Sequence, residues 1–319
     1  MPRVSVIIPA RNAASLLPQA LDSVIAQTYD DWEAIVADDA SSDGTAGLVA
    51  GYHPRVSCVR SERNLGIGGA RNLALARASG ELIALLDADD LLLPTYLERQ
   101  VARYDAAVAG GQDVGIVCCD AYELGPEGRR SRTYSERAGW VQSVTLTTLL
   151  RANTIFVSAL TPRAVVEELG GFATDCLGTE DYDLWLRIVE SGRAVVAVRE
   201  PLVMYRVADA TISTNVAAMS RAVQTTYRHA LARGRLDARQ RRIARRELRL
   251  QRFVELWEES ARMGGEGGRI PWSLLVRSGG LAARVVLERP KRWFHWFRIA
   301  RAIARGAPAA GVDRSRLTA

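Results

Sequence analysis

"LIALLDADDLLLP", residues 82–94, joins an apolar run of strand length to three aspartates within four positions, after which the apolar residues resume. A run of that kind reads as a strand buried on both faces, the pattern of a parallel sheet interior. Its carboxyl end, where Asp87, Asp89 and Asp90 gather, is where the loops of an α/β sheet converge on a ligand. Similar runs recur at 4–8 ("VSVII"), 32–37 ("WEAIVA"), 56–60 ("VSCVR"), 81–86 ("ELIALL") and 114–119 ("VGIVCC"). Between the first four lie helical patterns with apolar residues three and four apart, such as Leu17, Leu21, Val24 and Ile25. The expected fold class is therefore α/β with a mainly parallel central sheet. The loops after strands one, two and four, "PARN", "DDASSDGT" and "DADD", would share one rim.

The 319 residues allow one large domain, or a smaller one with an appendage, and the 48% hydrophobic content suits a globular chain. The net charge of +6 is unevenly placed: residues from Arg221 onward hold 23 basic and 8 acidic side chains, the preceding ones 19 and 28. An acidic part fit for cations thus precedes a basic part fit for an anionic surface. Cys58, Cys118, Cys119 and Cys176 show no C-x-x-C spacing, so neither a disulfide framework nor a zinc knuckle is expected, and a reducing cytoplasm fits. No window reaches about 18 uninterrupted apolar residues, which argues against a membrane span.

Asp87 and Asp89, two residues apart at a strand end, can converge on one hard cation, and carboxylates with phosphate oxygens suit Mg²⁺ or Mn²⁺. His53, His229 and His295 are too scattered to suggest zinc. Asp90 could instead cap a helix running through "LLLPTYLERQ". At the end of strand two, a carboxylate of Asp38 or Asp39 could accept an N–H from a pyrimidine base, while Ser41, Ser42 and Asp43 are candidate helix caps. "RNLGIGGARN" follows strand three: its glycines would let the chain approach a ligand, and Arg71, with Arg63 as a weaker candidate, could fork onto phosphate oxygens. The dinucleotide pattern G-x-G-x-x-G fails here, because its sixth position is Arg71.

Taken together, "VSVIIPARNAASLLPQALDSVIAQTYDDWEAIVADDASSDGT", "RNLGIGGARN", "LLDADD" and "LGGFATDCLGTEDYDLWLRIVESG" resemble the family 2 glycosyltransferases across roughly residues 3–206. The resemblance implies a GT-A nucleotide-sugar-binding fold and inverting transfer from a nucleotide diphosphate sugar, with a UDP-sugar expected. It implies Asp39 on the base, Arg71 near the diphosphate, and Asp87 with Asp89 as a D-x-D metal motif. Pro9, Ala10, Arg11 and Asp38 join these as nucleotide-binding candidates. A sugar nucleotidyltransferase would show glycine and lysine after strand one, and "PARNAAS" has neither; a non-catalytic binding scaffold would have lost Asp181 or the D-x-D pair.

In "TEDYDLWLRIVESG", Asp181 shares a helical face with Leu184, Trp185 and Ile188 and so heads the apolar side. Burial would raise its pKa and the helix N-terminus would lower it. The resemblance makes Asp181 the general base, and Glu180 is expected to cap or orient. One departure is Ala208 in "MYRVADATIS", where family members often carry histidine; Arg206 is then either an anionic contact or a surface residue.

The expected boundary separates a catalytic domain, 1–214, from a basic α-helical region, 215–319. Residues 123–139, polar and rich in Gly and Arg, read as a surface loop or hairpin. Leu250, Phe253, Val254 and Trp257 mark a helix face for packing on the domain or on a second subunit. "RPKRWFHWFRIARAIAR" sets Trp293, Trp296 and Phe297 beside Arg298, Arg301 and Arg305, which fits a peripheral membrane contact through 290–305 or oligomer packing, with nucleic acid less favoured. The partners expected are the sugar donor and a glycan or lipid-linked acceptor, at the cytoplasmic face of a membrane.

Overall fold

The computed structural model describes residues 1–125, 128–138, 144–207 and 215–265. Its elements run β1 (Val4–Ala10), α1 (Leu17–Ile25), β2 (Trp32–Asp39), α2 (Thr45–Val49), β3 (Val56–Ser61), α3 (Gly66–Leu75), β4 (Leu82–Leu85), β5 (Leu91–Leu92), α4 (Tyr96–Ala109), β6 (Val114–Gly125), β7 (Gly128–Thr133), α5 (Tyr134–Ala138), α6 (Leu146–Leu149), β8 (Leu160–Pro162), α7 (Arg163–Glu168), α8 (Glu180–Glu190), β9 (Ala194–Arg206), α9 (Val216–Ala232) and α10 (Ala238–Gly265). Two compact units are formed: Met1–Leu149 with Asn153–Asp209, and a second that includes Leu150–Ala152, α9 and α10.

In the first unit one sheet has the order β3-β2-β1-β4-β8-β6-β9-β5, with β7 added on β6. The first four strands foreseen from sequence pair in parallel, β1 lying between β2 and β4 and β3 joining β2, whereas the fifth, β6, pairs parallel with β9 but antiparallel with β8 and β7. Every residue of β1 and of β4 is buried, as the continuous apolar runs require. On α1, Leu17, Leu21 and Val24 turn wholly inward, and burying each stabilises by roughly 1.5–3 kcal/mol. Sequence reading passed over β8, which pairs antiparallel with β4 and β6, and β5, which pairs antiparallel with β9. These are too short to show a period. Within 123–139, the end of β6 pairs antiparallel with β7, and α5 follows.

Register sets the rim. Ala10 stands beside Asp38, and Ile7 beside Leu85, so β1, β2 and β4 deliver Arg11, Asp39 and Asp87 to the same edge of the sheet. The turn bearing the aspartates is then fastened from the far side, because Leu91 and Leu92 pair with Met204 and Val203 of β9. Asp90 contributes here and not as a helix cap: α4 begins only at Tyr96, and Asp90 Oδ1 accepts the Arg206 N–H at 2.8 Å.

The glycines of "GIGGARN" serve chain packing. Gly66 takes φ +73° at the start of α3, and a Cβ on Gly68 would lie 2.2 Å from the Ala173 carbonyl oxygen. The close approach foreseen for a ligand is an approach of α3 to the segment leading into α8. Asn72 completes it, accepting the Phe172 N–H at 2.7 Å and donating to the Phe172 carbonyl at 2.8 Å.

In the second unit α9 and α10 pack side by side. Ala217, Ala222 and Tyr227 of α9 and Ile243, Ala244, Leu250 and Phe253 of α10 are buried, and Gln224 donates to Glu255 at 2.7 Å. Val254 and Trp257 are half-buried. Among the described residues no helix is long and apolar enough to cross a membrane. Ala208 and the stretch 290–305 lie outside the described residues.

Gly68→Ala should lower stability by about 1–3 kcal/mol even though alanine is the better helix former, because the clash is with backbone that cannot yield cheaply. A urea midpoint equal to the parent's would contradict this packing.

Candidate functional site

The loops after β1 and β2 are stitched together at the rim. Ser41 Oγ accepts the Asn12 N–H at 2.8 Å, and Asn12 Oδ1 accepts the Ser42 N–H at 2.9 Å. Thr45 Oγ1 accepts the Ala13 N–H and Asp43 the Ala14 N–H, each at 3.0 Å. Asp43 also accepts the Thr45 N–H at 3.1 Å, so of the three candidate caps it is Asp43 that serves α2. Asn12 and Ala40 hold positive φ, 50° and 54°, an uncommon conformation kept in place by this network. Pro9 and Ala10 are buried as the last residues of β1, while Arg11 is exposed at the mouth.

Asp38 and Asp39 point to opposite faces, as adjacent strand residues must. Asp38 is fully buried beneath Arg60, whose Nε lies 3.2 Å from Oδ2. Asp39 accepts the N–H groups of Leu65 at 2.6 Å and Gly66 at 3.0 Å, clamping the entry of α3.

Arg71 is the centre of the site. It is 1% exposed, and its two terminal nitrogens bind Glu180 Oε1 at 2.5 Å and Asp87 Oδ1 at 2.7 Å. The fork expected to face a diphosphate thus grips one carboxylate of the D-x-D turn and one at the start of α8. The Phe172 ring lies 5.7 Å from its guanidinium carbon. Burial opposes the charge, but Asp87, Glu180 and Asp181 together outweigh it and push the guanidinium pKa upward. Glu180, 2% exposed, also accepts the Gly178 N–H at 2.9 Å, and burial raises its carboxyl despite Arg71. Its two oxygens thus tie Arg71 and the Gly178 backbone to the first turn of α8.

Asp181 differs from its neighbour. It remains partly exposed, and the protein around it together with the Glu180 charge pushes its pKa up to about 7, against the pull of Arg71. Burial thus outweighs both Arg71 and the Tyr182 N–H that the first turn of α8 offers this carboxylate. A carboxyl poised there can exchange a proton at neutral pH.

Asp87 and Asp89 both keep some exposure. Burial and the charge of Asp87 raise the Asp89 carboxyl, with Arg206 offsetting only part; Asp90, buried behind them, is raised well above its usual range by burial and by both neighbours. Such an excess of negative charge on one turn, offered by oxygen ligands alone, fits a hard divalent cation. Arg206 proves to be a brace, its Nε donating to the Asp89 carbonyl at 2.9 Å and its Nη2 to Gln19 at 3.0 Å. Arg63 stays exposed.

The pattern of glycosyl transferase family 2 matches residues 5–160. The uncharacterized glycosyltransferase RT0329 of Rickettsia typhi is 31% identical over 223 residues, covering 68% of this chain and 67% of that protein. This chain belongs to glycosyl transferase family 2. The succinoglycan biosynthesis protein ExoO of Rhizobium meliloti is 36% identical over 160 residues, half of this chain, which spans only 44% of ExoO's length. Among solved structures, the mannosyltransferase PcManGT of Pyrobaculum calidifontis, in complex with GDP-Man and Mn²⁺, superposes with a TM-score of 0.62 at 24% identity, covering 92% of this chain and 83% of its own. TarS 1-349 of S. aureus with UDP-GlcNAc gives 0.59 at 17% identity, covering 80% and 72%. The first unit thus has the GT-A architecture of these family 2 enzymes.

Sequence reading missed the anchoring role of Asn72, the latch of Asn12 and the pairing of Arg71 with Glu180. "ARN" at 70–72 offered the residues, but their partners lie about a hundred positions away. Arg71→Met leaves two carboxylates without their cation and should lower stability by about 3–5 kcal/mol. Arg71→Lys, lacking the fork, should lose less; equal and negligible losses in urea denaturation would show that the network is not structural.

Proposed function

We propose that the chain is an inverting transferase that moves a sugar from a nucleoside diphosphate sugar, a UDP-sugar, to a hydroxyl of a glycan or lipid-linked acceptor in surface polysaccharide biosynthesis. The observation that carries the reading is Asp181: a partly open carboxyl, with a pKa of about 7, beside a buried cation that also grips the D-x-D turn. The names of the relatives support the glycan context, and the UDP-GlcNAc complex of TarS supports the uridine donor. In this reading residues 1–214 carry the transfer and 215–319 form a basic helical region, with the protein at the cytoplasmic face of a membrane.

Single displacement inverts the sugar's anomeric centre, so the acceptor hydroxyl attacks from the face opposite the departing diphosphate and must lose its proton as it does so. Asp181 takes that proton, a role typically worth about 10²–10⁴-fold. Glu180, locked on Arg71, holds the first turn of α8 and keeps Asp181 directed at the acceptor. Asp87 and Asp89 would hold Mn²⁺ or Mg²⁺, which supplies positive charge against the departing diphosphate. Arg206 fixes the backbone of that turn, and Arg71 keeps Asp87 in place. Asp39 retains second lone pairs on both oxygens and so can accept the base N–H while it clamps α3. Arg11, with the Pro9–Ala10 backbone, lines the nucleotide's path over the rim.

Asp181→Asn should reduce transfer by about 10²-fold or more while donor affinity, measured calorimetrically, stays within about twofold. Transfer at the parental rate would remove Asp181 from the mechanism. Because the carboxylate form is the base, kcat/KM should rise with pH about tenfold per unit below pH ~7 and level off above it; this limb should vanish from any residual activity of the Asn variant. Asp89→Ala should abolish the gain in UDP affinity that Mn²⁺ confers, and unchanged metal-dependent binding would count against the D-x-D assignment.

A further inference from the structure

The second unit presents a charged surface to which the proposed transfer assigns no role. Arg241, Arg242, Arg245, Arg249 and Arg252 recur along α10 at spacings of one, three and four. At 3.6 residues per turn all five fall, with Ala238, within a sector of roughly 100° that runs about 17 Å along the helix. Arg241, Arg242, Arg245 and Arg252 are exposed, and Arg249 is half-buried. The opposite side carries Ile243, Glu247 and Leu250, all buried. The stripe is therefore the outward face of a helix whose apolar face is already covered.

Three of the five arginines, Arg242, Arg245 and Arg252, have no carboxylate partner among the described residues. Glu247, the one acidic residue between Ala238 and Arg252, is buried and pairs with Arg246, and Glu255 is taken by Arg221 and Gln224. Ala238, Arg241, Arg242, Arg245 and Arg249 line an open recess of about 410 Å³, room enough for a phosphate group. Guanidinium forks match phosphate oxygens in pairs.

We infer that this arginine stripe of α10 docks the protein on the phosphate headgroups of an anionic phospholipid membrane. The composition of the sector selects among anionic partners. Specific protein interfaces are built on an apolar or aromatic centre from which charge is depleted, and between Ala238 and Arg252 this sector has no apolar residue larger than alanine. Single-stranded nucleic acid is gripped by aromatic rings between the cations, and the sector has none. A leaflet of anionic headgroups demands only a row of cations at one level. Because the apolar side of α10 is already buried, the helix rests on the headgroups without inserting, and the attachment is electrostatic, reversible and screened by salt. It would hold a transferase beside a lipid-linked acceptor.

The test is sedimentation of the full chain with vesicles of phosphatidylcholine containing about 30% phosphatidylglycerol, near physiological ionic strength. At about fivefold per cation, R242Q/R245Q should weaken partitioning by roughly 25-fold. R77Q/R199Q, which removes two exposed arginines of the first unit, should change it by less than about twofold, and about 0.5 M salt should release the parent protein. Undiminished binding by R242Q/R245Q, an equal loss in R77Q/R199Q, or equal binding to pure phosphatidylcholine would each overturn the proposal. So would a single-stranded oligonucleotide whose binding alone is lost in R242Q/R245Q. Donor hydrolysis in solution should be the same in parent and R242Q/R245Q, so the docking surface and the transfer chemistry can fail independently.

Discussion

A guanidinium sealed from water between two carboxylates holds three elements of the first unit in register. Arg71 projects from α3, Asp87 from the turn after β4 and Glu180 from the start of α8, and no backbone hydrogen bond could join three such elements at one point. Removing Arg71 would leave Glu180, which is buried, without its cation and free Asp87 from α3, so the arginine couples the ordering of the three elements. Gly68 and Asn72 make the arrangement possible on the same helix. The first has no side chain to obstruct the Ala173 carbonyl, and the second ties the Phe172 backbone.

From that anchor the acidic side chains acquire different characters. Glu180 is buried and paired, Asp181 is pushed toward neutrality but remains accessible, and Asp89 meets burial and repulsion that a backbone hydrogen bond and Arg206 offset only in part. Identical chemical groups thus acquire different protonation tendencies through differences in solvation and neighbouring charge, the basis on which the proposed function gives them different roles. In family 2 enzymes a donor and an acceptor must meet at one point, and here the same arginine touches the elements assigned to each.

The two units divide the chain's charge. The first has an acid-rich rim, braced by buried and half-buried arginines; the second carries its arginines outward on α10 and its apolar residues inward. An ion pair under the sheet rim is shielded from salt, whereas the exposed stripe is not. Ionic strength should therefore act on attachment and leave the site's internal network largely unaffected.

The sequence by itself determined the parallel core strands, the amphipathic α1 and α8, and the presence of acidic groups at strand ends. These follow from periods of two and 3.6 residues and from short motifs, all of which are local. Their resemblance to family 2 also picked out Asp39, Asp87, Asp89 and Asp181 as site candidates. Only the tertiary structure decided what the polar groups bind. Arg71 and Glu180 are 109 residues apart in the chain, and Asp90 and Arg206 are 116 apart. Nothing in the spacing of "GGARN" distinguishes an arginine aimed at phosphate from one aimed at carboxylate, because either anion satisfies the same fork; which one it meets is fixed by which elements the sheet order brings to the rim.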